Sequence, residues 1–155
     1  MSSRNELTWQ TEICKAFRDG GAFARKMGSE FQNGFPDLLI IERGRIVFLE
    51  VKLVRFAQPG RIVMPTMSRQ IDMTTRQRIV IGEIRQARGE AYVLAILQDP
   101  VTPPATTRMG LVHVKAPTKR GKLTITRQTT ALFTTWGALK ARPDKLDRLL
   151  LSLAD

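Results

Sequence analysis

Apolar residues spaced three and four apart open the chain: Trp9, Ile13, Ala16 and Phe17 recur at helical intervals from about Asn5 to Asp19, and Gly20-Gly21 ends the run. The spacing predicts a first helix. The pattern then becomes continuous. Leu38 to Ile41 and Ile46 to Leu53 are rich in Leu, Ile, Val and Phe, and Glu-Arg-Gly-Arg between them predicts a β-hairpin. Thr74 or Thr75 caps a second helix carrying Ile79, Val80, Ile84 and Ala87, with Gly89 as its stop, and a strand follows over Ala91 to Leu97. Helix, hairpin, helix and strand in this order predict an α/β (α+β) unit, a mixed sheet with helices packed on it.

Two stretches interrupt this scheme. About 20 residues separate Leu53 from the second helix; they contain Gln58-Pro59-Gly60 and Met64-Pro65, and loops of that length in compact domains are usually functional or mobile. From Asp99 to Thr107 the run Asp-Pro-Val-Thr-Pro-Pro-Ala-Thr-Thr breaks regular structure, because proline lacks an amide donor and restricts its neighbours. The break divides a core over residues 1–100 from an extension over 101–155, packed on the core or at a dimer interface. Within the extension, Leu111–Val114 and Leu123–Thr126 read as short strands. Trp136 to Leu153 reads as a helix interrupted or restarted at Pro143, with Leu146, Leu149, Leu150 and Leu153 as its stripe.

A chain of 155 residues with 43% hydrophobic and 25% charged residues has the length and composition of one globular unit. Charge changes the picture: 25 Lys+Arg oppose 14 Asp+Glu, a formal net charge of +11. Such a field attracts polyanions, so nucleic acid is the first partner to consider. The extension is the more basic part, with 10 basic and 3 acidic residues against 15 and 11 in the core. No apolar run approaches a membrane span, and the N-terminal residues lack a secretory signal's apolar stretch, which together predict a cytoplasmic protein. The single cysteine, Cys14, builds neither a disulfide nor a cysteine-based metal site. It also lacks a histidine partner within the core, which excludes a thiol enzyme.

The hairpin carries the chemistry. A turn centred on Arg43-Gly44 pairs Ile41 with Ile46, Leu39 with Phe48, and Asp37 with Glu50. Directly opposed residues in an antiparallel pair project to the same side with β-carbons about 4.5–5.5 Å apart, and like charges so placed repel unless something neutralises them. Alternation along the strand puts Lys52 on the same face and sends Val47, Leu49 and Val51 into the core. On Glu50 and Lys52 alone, a partly exposed strand face with balanced charge is an equally good account; Asp37 across the turn, after the Gly34-Phe35-Pro36 bend, favours a site. Hard oxygen ligands suit Mg²⁺ or Mn²⁺ with a phosphate substrate, and no His/Cys cluster competes. In such a site the cation polarises a phosphodiester while Lys52 orients water or offsets developing charge.

Gly34-Phe35-Pro36-Asp37 followed by Phe48-Leu49-Glu50-Val51-Lys52 resembles the motif of the PD-(D/E)xK nuclease superfamily. Within it, the chain is most similar to VRR-NUC domains and archaeal Holliday-junction resolvases, both of which carry G-x-P-D before the E-x-K strand. The resemblance implies a restriction-endonuclease-like core over about residues 6–97. It implies a cation held by Asp37, Glu50 and the Val51 carbonyl, with an acid of the first helix assisting. Glu12 is the better match for that acid and Glu6 the fallback. By the same resemblance, Gln77 at the start of the second helix orients Lys52 or a phosphate, and Gln70 is a weaker candidate. The long stretch over residues 53–75 departs from VRR-NUC relatives and fits a loop that gates the substrate.

The implied activity is divalent-metal-dependent DNA endonuclease action, structure-specific for branched, flapped or junction DNA. Phosphate contacts need only cations. Arg55, Arg61 and Arg69 in the insertion and Arg76, Arg78, Arg85 and Arg88 by the second helix are candidates for a track beside the site. Lys115, Lys119, Arg120 and Lys122 form a second cluster. Only 6% of residues are aromatic, too few for single-strand stacking platforms, so duplex or branched DNA is expected. Resolvase action would need paired sites, hence a homodimer. The rivals are a non-catalytic DNA-binding or assembly protein with the same fold, and an RNA-binding protein to which Asp37 is irrelevant.

Overall fold

The side-chain oxygen of Asn5 accepts the Thr8 N–H at 2.8 Å and starts the first helix, α1 (Glu6–Asp19). Trp9, Ile13 and Phe17 on one face are buried, and the Gly20 N–H closes the last turn on the Ala16 and Phe17 carbonyls. The structure, a computed structural model, describes residues 4–27, 34–55, 69–99, 102–114 and 122–153.

Three antiparallel strands follow: β1 (Phe23–Lys26), β2 (Leu38–Glu42) and β3 (Arg45–Arg55). Arg43 (φ 51°) and Gly44 (φ 79°) both lie in the left-handed region, the arrangement of a two-residue turn whose twist matches its strands. The register pairs Ile41 with Ile46, Leu39 with Phe48 and Leu38 with Leu49, as the sequence arithmetic predicts. Next come β4 (Arg69–Asp72), α2 (Thr75–Gln86) and β5 (Glu90–Gln98). Thr74 and Gln77 form a reciprocal capping box at the start of α2.

After a 3₁₀ turn at Pro104–Thr106 the chain forms β6 (Arg108–Val112), β7 (Lys122–Ile125), α3 (Arg127–Ala131), β8 (Thr134–Thr135), α4 (Trp136–Lys140) and α5 (Lys145–Leu150). The principal sheet has the order β1-β2-β3-β5-β6-β8; β3 and β5 are parallel and the other neighbours antiparallel. β4 and β7 form a separate antiparallel ribbon.

Each face of the sheet has its own apolar layer. On one, Val47, Leu49, Val51, Leu94 and Ile96 pack with Trp9, Ile13 and Phe17 of α1 and with Trp136, Leu139, Leu146 and Leu149 of the C-terminal helices. Trp9 and Trp136 meet edge to face, with ring centroids 5.6 Å apart. On the other face, Ala91, Val93, Ala95 and Leu97 pack with Ile81 of α2 and with Ile71, Leu123 and Ile125 of the ribbon. Buried polar groups join the layers to their helices: Glu42 Oε1 accepts the Leu146 N–H at 2.9 Å at the start of α5, and Ser152 Oγ accepts the Leu111 N–H at 2.6 Å.

Four elements differ from the hydrophobic pattern. β1, β4, α3 and β8 are not expected from it, because each is five residues or fewer and lacks a period of its own. The expected C-terminal helix is divided into α4 and α5 around Pro143, which cannot donate within a helix. The stretch after Lys52 is strand at both ends, β3 continuing to Arg55 and β4 resuming at Arg69, while 56–68 lies outside the described residues. Among the described residues no helix is long and apolar enough to cross a membrane.

Candidate active site

β2 starts at Leu38, opposite Leu49, whereas β3 runs on to Arg55 with β5 as its only strand partner there among the described residues. Beyond Leu49, the β2 side of β3 therefore presents main-chain groups to side chains instead of to another strand. Two carboxylates fill the gap. Asp37 Oδ2 accepts the Val51 N–H at 2.8 Å, and Glu6 Oε1 accepts the Leu53 N–H at 3.3 Å. Because the N–H and C=O of a strand residue point to the same side, the Val51 carbonyl faces this edge too.

The bend before β2 fixes Asp37. Gly34 has φ +88°, and a β-carbon there would lie 2.7 Å from the Arg76 main-chain oxygen, so only glycine lets the bend rest on the first turn of α2. Phe35 packs edge to face on Phe48 at 5.4 Å. The Asp37 carbonyl accepts the Met27 N–H at 2.7 Å. Asp37 is thus held through its main chain by the segment after β1 and through its side chain by β3.

Glu50 lies on the other side of the Val51 amide and is only 2% exposed. Its Oε2 has no hydrogen-bond partner among the described residues. Burial, above all, pushes its pKa up to about 9; the hydrogen bond to Asp37 and that residue's charge add to the shift, and Glu6 contributes further while Lys52 opposes it. The Glu50 carboxyl therefore keeps its proton through neutral pH. Lys52 is half-buried on the same face of β3 and, among the described residues, makes no ion pair with either acid.

Asp37, Glu50 and Lys52 are brought together as the hairpin arithmetic predicts, but Glu12 is not with them. It pairs with Arg4, Nη2 to Oε1 at 2.9 Å and Nε to Oε2 at 2.6 Å, and the acid of α1 that reaches β3 is Glu6. The helical wheel contains the reason: at about 100° per residue, Glu6 falls within about 20° of Ile13 and Phe17 on the buried stripe, whereas Glu12 is a full step away. Gln77 uses its Oε1 to accept the Thr74 N–H at 3.0 Å in the capping box, and no hydrogen bond joins it to Lys52 among the described residues. Arg78 is buried, 6% exposed, on the inner side of α2 and is not displayed to a duplex, while Arg76, Arg85 and Arg88 are exposed. Arg61, Lys115, Lys119 and Arg120 lie outside the described residues. So do the side chains of Arg55, Arg69, Gln70 and Lys122, whose backbones are in β3, β4 and β7.

Two other groups do not enter the site. Cys14 is buried and its thiol pKa is raised by that burial, the opposite of an activated nucleophile. His113 packs edge to face on Tyr92 at 5.9 Å.

Among the described residues no three His, Cys, Asp or Glu side chains gather into a metal cluster. The available donors are the paired carboxyls of Asp37 and Glu50 and the Val51 carbonyl. This all-oxygen set, with an orphaned buried carboxyl oxygen at its centre, fits a small hard cation, and Mg²⁺ is commonly held by one or two carboxylates with water and substrate phosphate completing its shell.

No protein-family model matches the sequence, and no curated protein matches it. Among solved structures, a Holliday junction resolvase, Hjc, of the archaeal hyperthermophile Archaeoglobus fulgidus superposes with a TM-score of 0.51 at 13% identity, covering 88% of this chain and 96% of that one. A structure described as a VRR_NUC domain has a TM-score of 0.40 at 25% identity, over 59% of this chain and 84% of that one. The chain shares the restriction-endonuclease-like fold of the archaeal resolvase, the fold its Gly-Phe-Pro-Asp and Glu-Val-Lys segments led us to expect.

Proposed function

We propose that this chain is a divalent-metal-dependent DNA endonuclease that hydrolyses phosphodiester bonds in branched or junction DNA. The observation that carries it is the buried, unpartnered oxygen of Glu50 beside Asp37, at a strand edge with Lys52 next along. A buried Glu50 against a half-buried Asp37 is unfavourable for a scaffold, and neutralisation of the pair by a cation gives the arrangement a purpose. Asp37, Glu50 and the Val51 carbonyl hold Mg²⁺ or Mn²⁺. The bound ion supplies Lewis-acid polarisation of the phosphodiester and a lowered pKa for water. Lys52, free of ion pairs with these acids, orients the attacking water and offsets charge on the phosphorane oxygens. Glu6, held by the Leu53 amide, accepts a hydrogen bond from water at the margin of the site. The net charge of +11 supports a polyanionic substrate, and the fold shared with a resolvase supports branched DNA within that class.

The test is cleavage of a four-way junction and of a linear duplex with Mg²⁺ or Mn²⁺, and with EDTA. Metal-dependent cutting of the junction is expected. Lys52→Ala should slow it by about a hundredfold, the size of effect seen when one charge-stabilising donor is lost, with little change in DNA affinity. If the native protein cuts no DNA with either metal, the non-catalytic DNA-binding alternative takes its place.

The two helix acids are separable in the same assay. Glu6→Gln is expected to lower the rate by about tenfold or more, as loss of an outer-shell partner does, whereas Glu12→Gln, which only loosens the partly exposed pair with Arg4, should stay within about twofold. Equal effects would remove Glu6 from the site.

A further inference from the structure

We propose that the exposed flank of α1 and β1, centred on Lys26, is where a DNA backbone phosphate is held next to the cleavage site; this rests on the nuclease reading above. Lys26 ends β1, one residue before Met27, whose N–H binds the Asp37 carbonyl at 2.7 Å. Its partner in the register is Leu38, the residue after Asp37, so its main chain lies beside the catalytic bend and its side chain, on Leu38's face of the sheet, reaches α1.

The charges of this flank set Lys26 apart. Arg4 is paired with Glu12, Lys15 with Asp19 at 2.6 Å, and Arg18 Nε donates to the Ala24 carbonyl at 2.7 Å. Lys26 Nζ, like Arg18, donates to a neutral group, the hydroxyl of Thr11, at 3.0 Å; of these two cations without a carboxylate it is the one next to the Asp37 bend. Among the described residues it has no carboxylate partner, so its full charge faces solvent while the side chain is already ordered. Around it α1 exposes Leu7, Thr8 and Thr11, none of them acidic, and the carboxylates of this helix are engaged elsewhere: Glu6 with Leu53, Glu12 with Arg4 and Asp19 with Lys15. An ordered ammonium without a carboxylate partner suits a phosphate diester, which needs positive charge and tolerates no nearby free carboxylate.

The experiment is binding of a labelled four-way junction to the full chain in EDTA across about 50–200 mM salt. Lys26→Ala is expected to raise Kd about fivefold or more at the upper end. It should also make the slope of log K against log salt shallower by about 0.9, the value of one phosphate contact. Lys26→Arg should restore both, and in the metal-supported assay Lys26→Ala should raise KM more than it lowers kcat. Lys140→Ala, which removes an exposed charge from α4 near the other end of α1, controls for net charge. An equal loss in Lys140→Ala, or an unchanged slope in a Lys26→Ala protein that melts like wild type, overturns the inference. If the wild type cuts DNA in an Asp37-dependent way while Lys26→Ala is silent, this inference alone falls. If the wild type neither binds nor cuts DNA, the nuclease reading falls and this one with it.

Discussion

Glu50→Gln is expected to melt higher than the wild type without metal and to cleave about a thousandfold more slowly with it. Both effects come from one buried carboxyl. Its pKa of about 9 in the folded protein, against an ordinary 4.5, means that at pH 7.5 the fold must protonate a group the unfolded chain leaves ionised. At about 1.4 kcal/mol per pH unit, three units of mismatch cost about 4 kcal/mol. Glutamine has the same shape, is neutral at every pH, and its amide can donate to Asp37, so this cost disappears. At roughly 2–4 °C per kcal/mol for a chain of this size, the melting temperature should rise by about 8–16 °C at pH 7.5. The same change removes a charged oxygen from the donor set, and Lewis-acid assistance worth several kcal/mol corresponds to about three orders of magnitude in rate. Thermal melting in EDTA and junction cleavage in Mg²⁺ measure the two halves. A lower melting temperature would mean Glu50 is ionised and well satisfied in the fold, and retained cleavage would remove it from the site.

The hairpin was legible because two simple rules act on it together. A two-residue turn fixes the register, and a register with one face buried cannot slip without exposing Val47, Leu49 and Val51. Asp37 opposite Glu50, with Lys52 beyond, follows from counting. The first helix was legible in extent, but its chemistry was misassigned: distance along the chain favoured Glu12, whereas direction around the helix, readable from Trp9, Ile13 and Phe17, favoured Glu6. Gln77 was misread for a related reason. A glutamine three residues after a threonine at a helix start is a capping box, and that local demand takes its side-chain oxygen first.

The elements that pattern did not predict are short ones stabilised by distant partners. β1 exists because β2 offers it an edge from Phe23–Ile41 to Lys26–Leu38, and only Ala24 of its four residues is buried. β4 pairs with the expected strand β7, 50 residues away in sequence, in a ribbon whose Ile71, Leu123 and Ile125 complete the layer over α2. Nothing in either four-residue segment foretells that pairing. Arg78, one of the candidates for a phosphate track, is instead buried in the middle of α2, while Arg85, on nearly the same side of the helix but in its last turn, is exposed.

In metal-free protein, stability should fall as pH rises from about 5 to 9, and Mg²⁺ should restore it increasingly across the same window. Between 4.5 and about 9 the folded state keeps on Glu50 a proton that the unfolded chain has released, so the native state binds more protons and raising the pH favours unfolding. A cation needs the carboxylates ionised, so its binding expels that proton, and its affinity should rise about tenfold for each pH unit below 9. By mass action each tenfold gain adds about 1.4 kcal/mol at fixed, saturating Mg²⁺, or about 3–6 °C in melting temperature. Asp37→Asn separates the causes. Its amide oxygen can still accept the Val51 N–H, but the neighbouring charge is gone; because burial is the largest contributor to the Glu50 shift, the pH range over which stability falls should end below 9 and not disappear, whereas the Mg²⁺ effect should vanish. Melting scans at pH 6, 7, 8 and 9 with EDTA or with about 5 mM Mg²⁺ decide it. A Mg²⁺ shift that is constant with pH, or that survives in Asp37→Asn, would mean that the ion binds elsewhere and that these two acids are not its ligands.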